Sequence, residues 1–424
     1  MTLDLSQTSQ RNARVLTAAQ ALGGAGPPII VSLGGLVGQQ LASDPALITL
    51  PVSIFNLGLA IGTLPAAWVM KQYGRRFGYL FGAVLGIISG LVAAFGIYQQ
   101  LFMMFCLGTM IAGFYASYVQ SYRFAVADGA PEDIKPRLIS WVMVGGLFAA
   151  IIGPQTVIWT RDIVPWAPFA GSFVAQALLA ALAIPVIWQL RSVSKSGKQL
   201  ARDAKRDAKQ NAAQGHATTT ASTSTQTKTL PTRTLKEIAS QPRFILAVTA
   251  GVVSYGLMTF VMTAAPIAMV GCGHTVGQAA LGIQWHVLAM FAPSFFTGRL
   301  IQRFGVKTIT ALGLLILAAS GAVGLSGLGL EHFWIALVLL GVGWNFGFIG
   351  ATTMVTSCHR PDEKTRVQAM NDFLVFGSVA ISSFASGKLL SVAGWEMLNW
   401  MIFPGVALVL LMMVWESRKP AVAF

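Results

Sequence analysis

The segment Gly298-Arg-Leu-Ile-Gln302-Arg303-Phe-Gly305-Val-Lys307 joins two apolar runs through a short, basic, glycine-containing turn. A related segment, Tyr73-Gly74-Arg75-Arg76, follows another apolar run 231 positions earlier. The same offset relates Lys135 to Arg366. A repeat of this length, with a long polar stretch between its two copies, predicts a chain built from two similar halves.

Apolar residues dominate the chain on both sides of these turns. Of its 424 residues, 54% are hydrophobic and 10% are charged, and the mean hydropathy is +0.65. Soluble proteins carry about 25% charged residues. Apolar runs of about 20 residues recur along the chain, and each is long enough to cross a bilayer as a helix. The composition therefore predicts an all-α membrane protein embedded in a lipid bilayer.

Twelve such runs flank a polar middle segment, six on each side. They are predicted at residues 13–38, 47–70, 77–97, 101–123, 138–159, 167–190, 244–270, 278–299, 308–328, 332–357, 368–392 and 396–416. The domains that follow are an N-terminal half (1–190), a cytoplasmic linker (191–240) and a C-terminal half (241–424). The linker is predicted to be largely disordered, because its Thr/Ser tract has little apolar surface to bury.

Positive charge is distributed unevenly among the connections. The formal net charge is +14. If the N-terminus is cytoplasmic, the basic connections and the whole linker are cytoplasmic, and Arg161 is the basic residue left in an outside loop. This asymmetry predicts a multi-pass protein of the bacterial inner membrane with both termini in the cytoplasm. It also explains the positive charge without a nucleic-acid partner.

The segment around Gln302 resembles the loop motif Gly-x-x-x-Asp-Arg-x-Gly-Arg-Lys of the major facilitator superfamily, with Gln302 in the position of the acid. The N-terminal copy departs further, with Ala67 and Lys71 in place of the first Gly and the Asp. The resemblance covers the whole chain. It implies twelve transmembrane helices in two six-helix halves that rock about a central site. A transporter without a cofactor is expected; no nucleophile–base or nucleotide motif points to an enzyme.

Two pairs of soft side chains lie in the hairpin of predicted spans seven and eight. Met258 and Met262, and then His286 and Met290, are each spaced by four residues and so share a helix face. Counted from the intervening turn, Met258 is level with Met290 and Met262 with His286, if the two helices turn these faces toward each other. Thioether and imidazole ligands favour Cu(I) over hard cations. The pattern therefore predicts a metal site.

Both pairs also have a packing interpretation. Methionine fills gaps in hydrophobic cores, and Met397-x-x-x-Met401 has the same spacing with no level partner. A lone buried histidine is often a hydrogen-bonded structural residue. Asn345 in span ten could orient His286 or bond a neighbouring helix.

The two pairs together are similar to the signature of CcoA-type copper importers, a branch of the superfamily. The resemblance implies alternating-access import of copper, as Cu(I), for cytochrome c oxidase biogenesis, with the ion held by Met258, Met262, His286 and Met290. Copper would be the transported substrate. A cytoplasmic copper chaperone or a copper-exporting ATPase would act downstream, and a monomer is expected.

Two of the three cysteines are candidates for a metal relay. Cys272 lies at the outer turn after span seven, and Cys358 lies at the cytoplasmic end of span ten. Small residues at helix ends also occur without any function. Cys106 is interpreted as packing.

A second interpretation is import or export of a small organic molecule such as riboflavin. The methionines would then be packing residues. Polar and aromatic residues of the first five spans would line the site, namely Asn56, Tyr115, Tyr118, Gln120 and Trp141. Arg123 would line the cavity or extend to the cytoplasmic surface. Asp372 is the candidate for a proton carrier, and its near-surface position argues against proton coupling.

Overall fold

The computed structural model describes residues 2–126, 135–191, 234–360 and 363–418. Helices of the first half are α1 (Thr2–Gly23), α2 (Gly26–Leu41), α3 (Leu50–Tyr73), α4 (Arg75–Tyr98), α5 (Phe102–Gln120), α6 (Tyr122–Ala125), α7 (Lys135–Thr160) and α8 (Ala170–Trp188). Helices of the second half are α9 (Leu235–Ala239), α10 (Pro242–Gly271), α11 (Val276–Phe291), α12 (Ser294–Phe304), α13 (Val306–Ser326), α14 (Leu330–Thr356), α15 (Lys364–Trp400) and α16 (Ile402–Ser417).

These helices form twelve membrane spans in two six-helix halves, which confirms the predicted fold class. Span one contains α1 and α2, and span eight contains α11 and α12, bent by 43°. Spans eleven and twelve are continuous except for a kink at Gly394, whose φ is 75°. The domain boundaries at 190 and 241 stay a prediction, because most of the linker lies outside the described residues.

The two halves repeat each other in backbone detail. Gly74 ends α3 with φ 89° and ψ 157°, and Gly305 ends α12 with φ 87° and ψ 149°. A side chain at such a φ is strained, whereas glycine adopts it freely. Each glycine therefore allows an abrupt reversal between consecutive spans, at matching places in the two halves.

Apolar packing holds each half together. The second half is organised around one continuous buried cluster, and the first half around two. Close helix contacts rely on small residues: a Cβ at Gly313 of α13 would collide with the backbone of Gly347 on α14. Such approaches are the usual means of association for membrane helices.

The bundle has two ends, which we name by their connections. The distal face carries the connections 42–49 and 272–275. The proximal face is the opposite end, where the Asn12 side-chain amide donates to the Arg191 carbonyl at 2.9 Å. Contacts between the halves pair α7 with α11, α3 with α15, and α2 with α10. The space between these helix pairs is where a transported molecule would lie.

Candidate functional site

The distal ends of the two halves are joined by a line of buried hydroxyl groups. Ser53 of α3 donates to Ser383 of α15 at 3.2 Å, and Thr263 of α10 lies 3.3 Å from the same Ser383 oxygen. All three side chains are buried. We call these residues the hydroxyl seam. Because it is uncharged, it can close without the cost of burying an ion.

A second polar contact and an apolar contact extend this closure. The Gln155 amide of α7 donates to Gln284 of α11 at 3.0 Å. Beside the seam, Gly35 of α2 packs so closely on Ile267 of α10 that a Cβ would collide with it. A cavity of about 470 Å³ remains near the distal surface. These contacts close the distal side of the space between the halves.

The proximal side of the same space is open. An added Cβ at Gly146 of α7, a buried position, would meet nothing within 4 Å. Arg123 of α6 is solvent-exposed. In the opposite half, Tyr255 of α10 is partly exposed and Asp372 of α15 is exposed. We call the space between the halves on this side the proximal cleft.

An aromatic cluster of the second half surrounds Tyr255. Its ring centroid lies 5.3 Å from that of Trp344, 5.0 Å from Phe348 and 6.0 Å from Phe376. Trp344 and Phe348, one turn apart on α14, are stacked with an interplanar angle of 17°. Tyr255, Phe348 and Phe376 are partly exposed, and the buried Trp344 indole nitrogen has no hydrogen-bond partner in the structure. This cluster offers flat apolar surface beside the proximal cleft.

Span eight is broken next to this cluster, and Asn345 stabilises the break. Pro293 separates α11 from α12. The Asn345 amide nitrogen donates to the Met290 carbonyl at 2.6 Å and to the Ser294 hydroxyl at 2.7 Å. Its oxygen accepts from the Thr297 hydroxyl at 2.6 Å. Of the two predicted roles, Asn345 therefore bonds a neighbouring helix.

His286 is fully buried, and one of its ring nitrogens is bonded to the helix of span ten. Its Nδ1 lies 2.7 Å from the Leu337 carbonyl of α14, which fixes the ring against that helix. The Nε2 atom has no hydrogen-bond partner among the described residues. The imidazole therefore links α11 to α14.

The methionines lie in the core of the second half. Met258 and Met290 are buried and Met262 is partly buried, all within one apolar cluster. Helix α10 packs mainly on α14 and α15, and α11 mainly on α14 and α7, so the contact between α10 and α11 is the lesser one. That the motif faces of spans seven and eight turn toward each other stays a prediction. Among the described residues, no three His, Cys, Asp or Glu side chains could share a metal ion.

The two relay cysteines lie in different environments. Cys272 is exposed at the distal turn. Cys358 is buried, and its thiol donates to the Met354 carbonyl at 3.3 Å. A relay between them stays a prediction.

Residues predicted to line an organic-substrate site have mixed positions. Tyr115 and Tyr118 are buried in the core of the first half, where Tyr115 packs against Gly23 and Gly86. The Trp141 ring is contacted by Arg14 at 5.9 Å and Arg137 at 5.8 Å. The aromatic cluster is not predicted from the sequence, although a tyrosine within span seven and the i, i+4 aromatic pair of span ten point to it.

Two halves, a closed distal side and an open proximal cleft define a membrane transporter of the alternating-access class. The sequence profile of the Major Facilitator Superfamily matches residues 15–292 and 248–424, and the chain belongs to that family. It is a multi-pass membrane transporter and not an enzyme.

Sequence similarity to other transporters indicates the class of substrate. The chain is 59% identical to the riboflavin transporter RfnT of Brucella anthropi over 98% of each chain. It is 28% identical to YdeG of Bacillus subtilis, an uncharacterized MFS-type transporter, over 97% of this chain and 93% of that one. The first relative overturns the prediction of copper import, and with it copper as substrate and partner and the role in oxidase biogenesis. The four-residue spacings matched a copper signature, but they suit core packing equally well.

Solved structures share the fold. The xylose transporter XylE from E. coli, in a partially occluded inward-open conformation, superposes with a TM-score of 0.70 at 14% identity and covers 99% of this chain and 100% of that one. The nucleoside transporter NupG superposes with a TM-score of 0.66 at 13% identity, covering 96% and 99%. These likenesses support the architecture alone.

Proposed function

We propose that this protein imports riboflavin, or a closely related flavin, across the bacterial inner membrane by alternating access. The observation that carries the proposal is the 59% identity to a riboflavin transporter over nearly the full length of both chains. The proximal face would be cytoplasmic, in agreement with the distribution of Lys and Arg.

The aromatic cluster suits such a substrate. Riboflavin consists of a flat, uncharged, three-ring system and a chain of hydroxyl groups. Flat rings bind by offset stacking or edge contacts with aromatic side chains. The partly exposed rings of Tyr255, Phe348 and Phe376 supply that surface.

Within this function we assign the predicted metal-site residues a structural role. Met258, Met262 and Met290 fill the core of the second half, and His286 fastens α11 to α14 through Leu337. Neither task calls for a metal ion.

The test uses riboflavin uptake by a riboflavin-requiring bacterium that has no importer of its own. The wild-type protein should support growth at low riboflavin and take up labelled riboflavin. Phe376→Ala, which removes one ring of the cluster, should lower uptake at subsaturating riboflavin about tenfold, because stacking on one aromatic ring is worth about 1–3 kcal/mol.

Phe373 provides the matched control on the same helix. It is 77% exposed on the outer surface of α15, and Phe373→Ala should leave uptake unchanged. The proposal fails if the wild-type protein gives no riboflavin uptake. The assignment of the site fails if the two alanine variants behave alike.

A further inference from the structure

Two arginines from different helices approach one indole ring at the proximal end of the first half. The guanidinium carbon of Arg14 on α1 lies 5.9 Å from the ring centroid of Trp141 on α7, and that of Arg137 lies 5.8 Å from the same centroid. Both arginines are exposed and the indole is partly exposed. The ring attracts both cations and so keeps them close to each other. We call Arg14 and Arg137 the arginine pair.

No acidic side chain balances the charge of the arginine pair. Neither guanidinium has an acidic partner within the described part of the chain. The acidic side chains that the structure describes in the first half are Asp44 and Asp162, and both lie on distal connections. Two like charges held near each other repel, and an anion bound between them removes that repulsion. The arginine pair therefore favours an anionic ligand.

The arginine pair faces the second half of the molecule. Gln155 of α7 bonds to Gln284 of α11 in that half. Arg137 precedes Gln155 by 18 residues on the same helix, which is about five full turns. The two side chains therefore leave α7 in the same direction, so Arg137 lies on the wall of the proximal cleft.

A second contact between an arginine and an indole lies elsewhere at the proximal end. The guanidinium carbon of Arg76 on α4 lies 4.7 Å from the ring centroid of Trp188 on α8. Helices α4 and α8 pack mainly on each other and on helices of their own half. This contact has a single cation and lies away from the second half, so it provides a matched control.

The chemistry of the arginine pair suits a phosphate monoester. A guanidinium binds phosphate through two parallel hydrogen bonds, and a phosphate monoester carries close to two negative charges at neutral pH. The partly exposed Trp141 ring beside the pair offers surface to a flat ring system. A phosphate ester of riboflavin has both parts, a flat ring system and a phosphate at the end of the hydroxylated chain. Its charge also keeps this ester inside the cell, because it cannot recross the bilayer.

We propose that Arg14, Arg137 and Trp141 bind a phosphate monoester, and that a flavin phosphate bound there from the cytoplasm inhibits riboflavin import. The inference rests on the proposed function. A ligand seated on the wall of the proximal cleft keeps the two halves apart on that side, and closing over it would bury its charge at a cost in free energy. Import therefore slows as flavin phosphate accumulates inside the cell.

Binding of riboflavin phosphate to the purified full-length protein, followed by flavin fluorescence anisotropy, tests the site. Arg14→Gln and Arg137→Gln should each weaken binding about tenfold or more, because hydrogen bonds between charged groups contribute more than neutral ones. Arg76→Gln should leave the affinity unchanged. Each variant removes one positive charge from the proximal end, so a general loss of charge would affect all three alike.

Two competitors distinguish the sources of phosphate. Inorganic phosphate should displace riboflavin phosphate only at much higher concentration, because it has no ring system. In lipid nanodiscs of phosphatidylcholine, added phosphatidic acid should not displace riboflavin phosphate, since the arginine pair faces the cleft and not the lipid.

Exchange of labelled for unlabelled riboflavin in membrane vesicles of known orientation tests inhibition. Riboflavin phosphate should inhibit exchange when it is added on the proximal side, and it should have no effect on the distal side. Arg137→Gln should require about tenfold more riboflavin phosphate for the same fractional inhibition. Exchange without riboflavin phosphate is the reference for each variant.

Five results would overturn the inference. They are no binding of riboflavin phosphate by the wild type, an equal loss of affinity in Arg76→Gln, displacement by phosphatidic acid, equal affinity for inorganic phosphate, and no inhibition from the proximal side. Absence of riboflavin exchange in a wild-type protein that still binds riboflavin phosphate through the arginine pair would instead contradict the proposed function.

Discussion

Span two and span eight occupy equivalent places in the two halves, yet they are built differently. Under the 231-residue repeat, Gly62 corresponds to Pro293 and Phe114 to Asn345. In the first half, α3 stays one helix although Pro65 lies inside it, and its Gly62 lies against Phe114 of α5. In the second half the helix breaks at Pro293, and the Asn345 amide donates to the Met290 carbonyl and the Ser294 hydroxyl at the break. At this position the span is held by apolar packing in the first half and by hydrogen bonds in the second half.

Because of this difference, span two and span eight have different mechanical properties. A helix packed through glycine on an aromatic ring resists bending, because the ring has no space to move into. A helix broken at proline keeps its shape through a few hydrogen bonds with a polar side chain. We infer that the contact of Gly62 with Phe114 limits bending of α3 at this point, and that α12 is the part of span eight that can change angle.

The largest effect on stability is expected from Asn345→Leu. It removes three hydrogen bonds and leaves the Met290 carbonyl and two hydroxyl groups without this partner. Each buried polar group left unpaired costs about 1–3 kcal/mol. Thermal unfolding of the detergent-solubilised protein should show a marked loss of stability.

Thr353→Val is the control for that change. Thr353 lies on the same helix, but it is exposed and its hydroxyl bonds only the Ile349 carbonyl one turn earlier. Its replacement should change stability by about 0.5 kcal/mol or less. Equal effects of the two substitutions would remove the distinction between the broken and the unbroken span.

The next effect is expected from Gly62→Ala. The new Cβ would lie 2.9 Å from a ring carbon of Phe114 and 3.1 Å from its Cα, so α3 and α5 must separate. Overpacking of this kind costs about 1–3 kcal/mol. Gly298→Ala on α12 meets nothing within 4 Å and should be neutral or slightly stabilising, since alanine favours helix. A loss of stability in Gly62→Ala alone would support the tight packing of α3 on α5, and equal losses in both variants would contradict it.

The smallest effect concerns the contact above the break. Gln284 lies on α11, and its bond to Gln155 attaches that part of span eight to the first half. Gln155→Leu should favour the distally open state by about tenfold or less, since one neutral hydrogen bond contributes about 0.5–1.5 kcal/mol. Distances between spin labels on distal α7 and α11 would report this shift.

Replacing both glutamines by leucine sharpens that measurement. The double variant should cost less than the sum of the single variants, because neither side chain is then left unpaired. Additive effects would show that the bond does not hold α11 to the first half.

The sequence predicted the parts of the molecule that depend on local composition. Twelve apolar runs and the matching glycines Gly74 and Gly305 were enough to predict the fold. The length of a span and the need for a glycine with positive φ both depend on the local sequence. The direction in which a side chain points depends on which helices are neighbours. For that reason His286 was paired with span seven, whereas the structure turns it toward Leu337 of span ten.

The candidate site was harder to predict for the same reason. Tyr255, Trp344 and Phe376 come from three spans and meet through tertiary packing that spacing along the chain does not encode. Tyr115 and Tyr118 are polar aromatic residues of the kind that lines binding sites, but their side chains are buried in the core of their own half. A short motif matching a copper signature could not outweigh the similarity of the whole chain to a riboflavin transporter.

The kink at Gly394 has a consequence for how force passes through the protein. Spans eleven and twelve are joined there without an intervening loop, and four residues, 272–275, connect spans seven and eight. Two helices joined by so short a connection cannot separate at that end, so a displacement of one helix also moves its neighbour. We therefore expect the distal ends of spans seven and eight to move together, and likewise those of spans eleven and twelve.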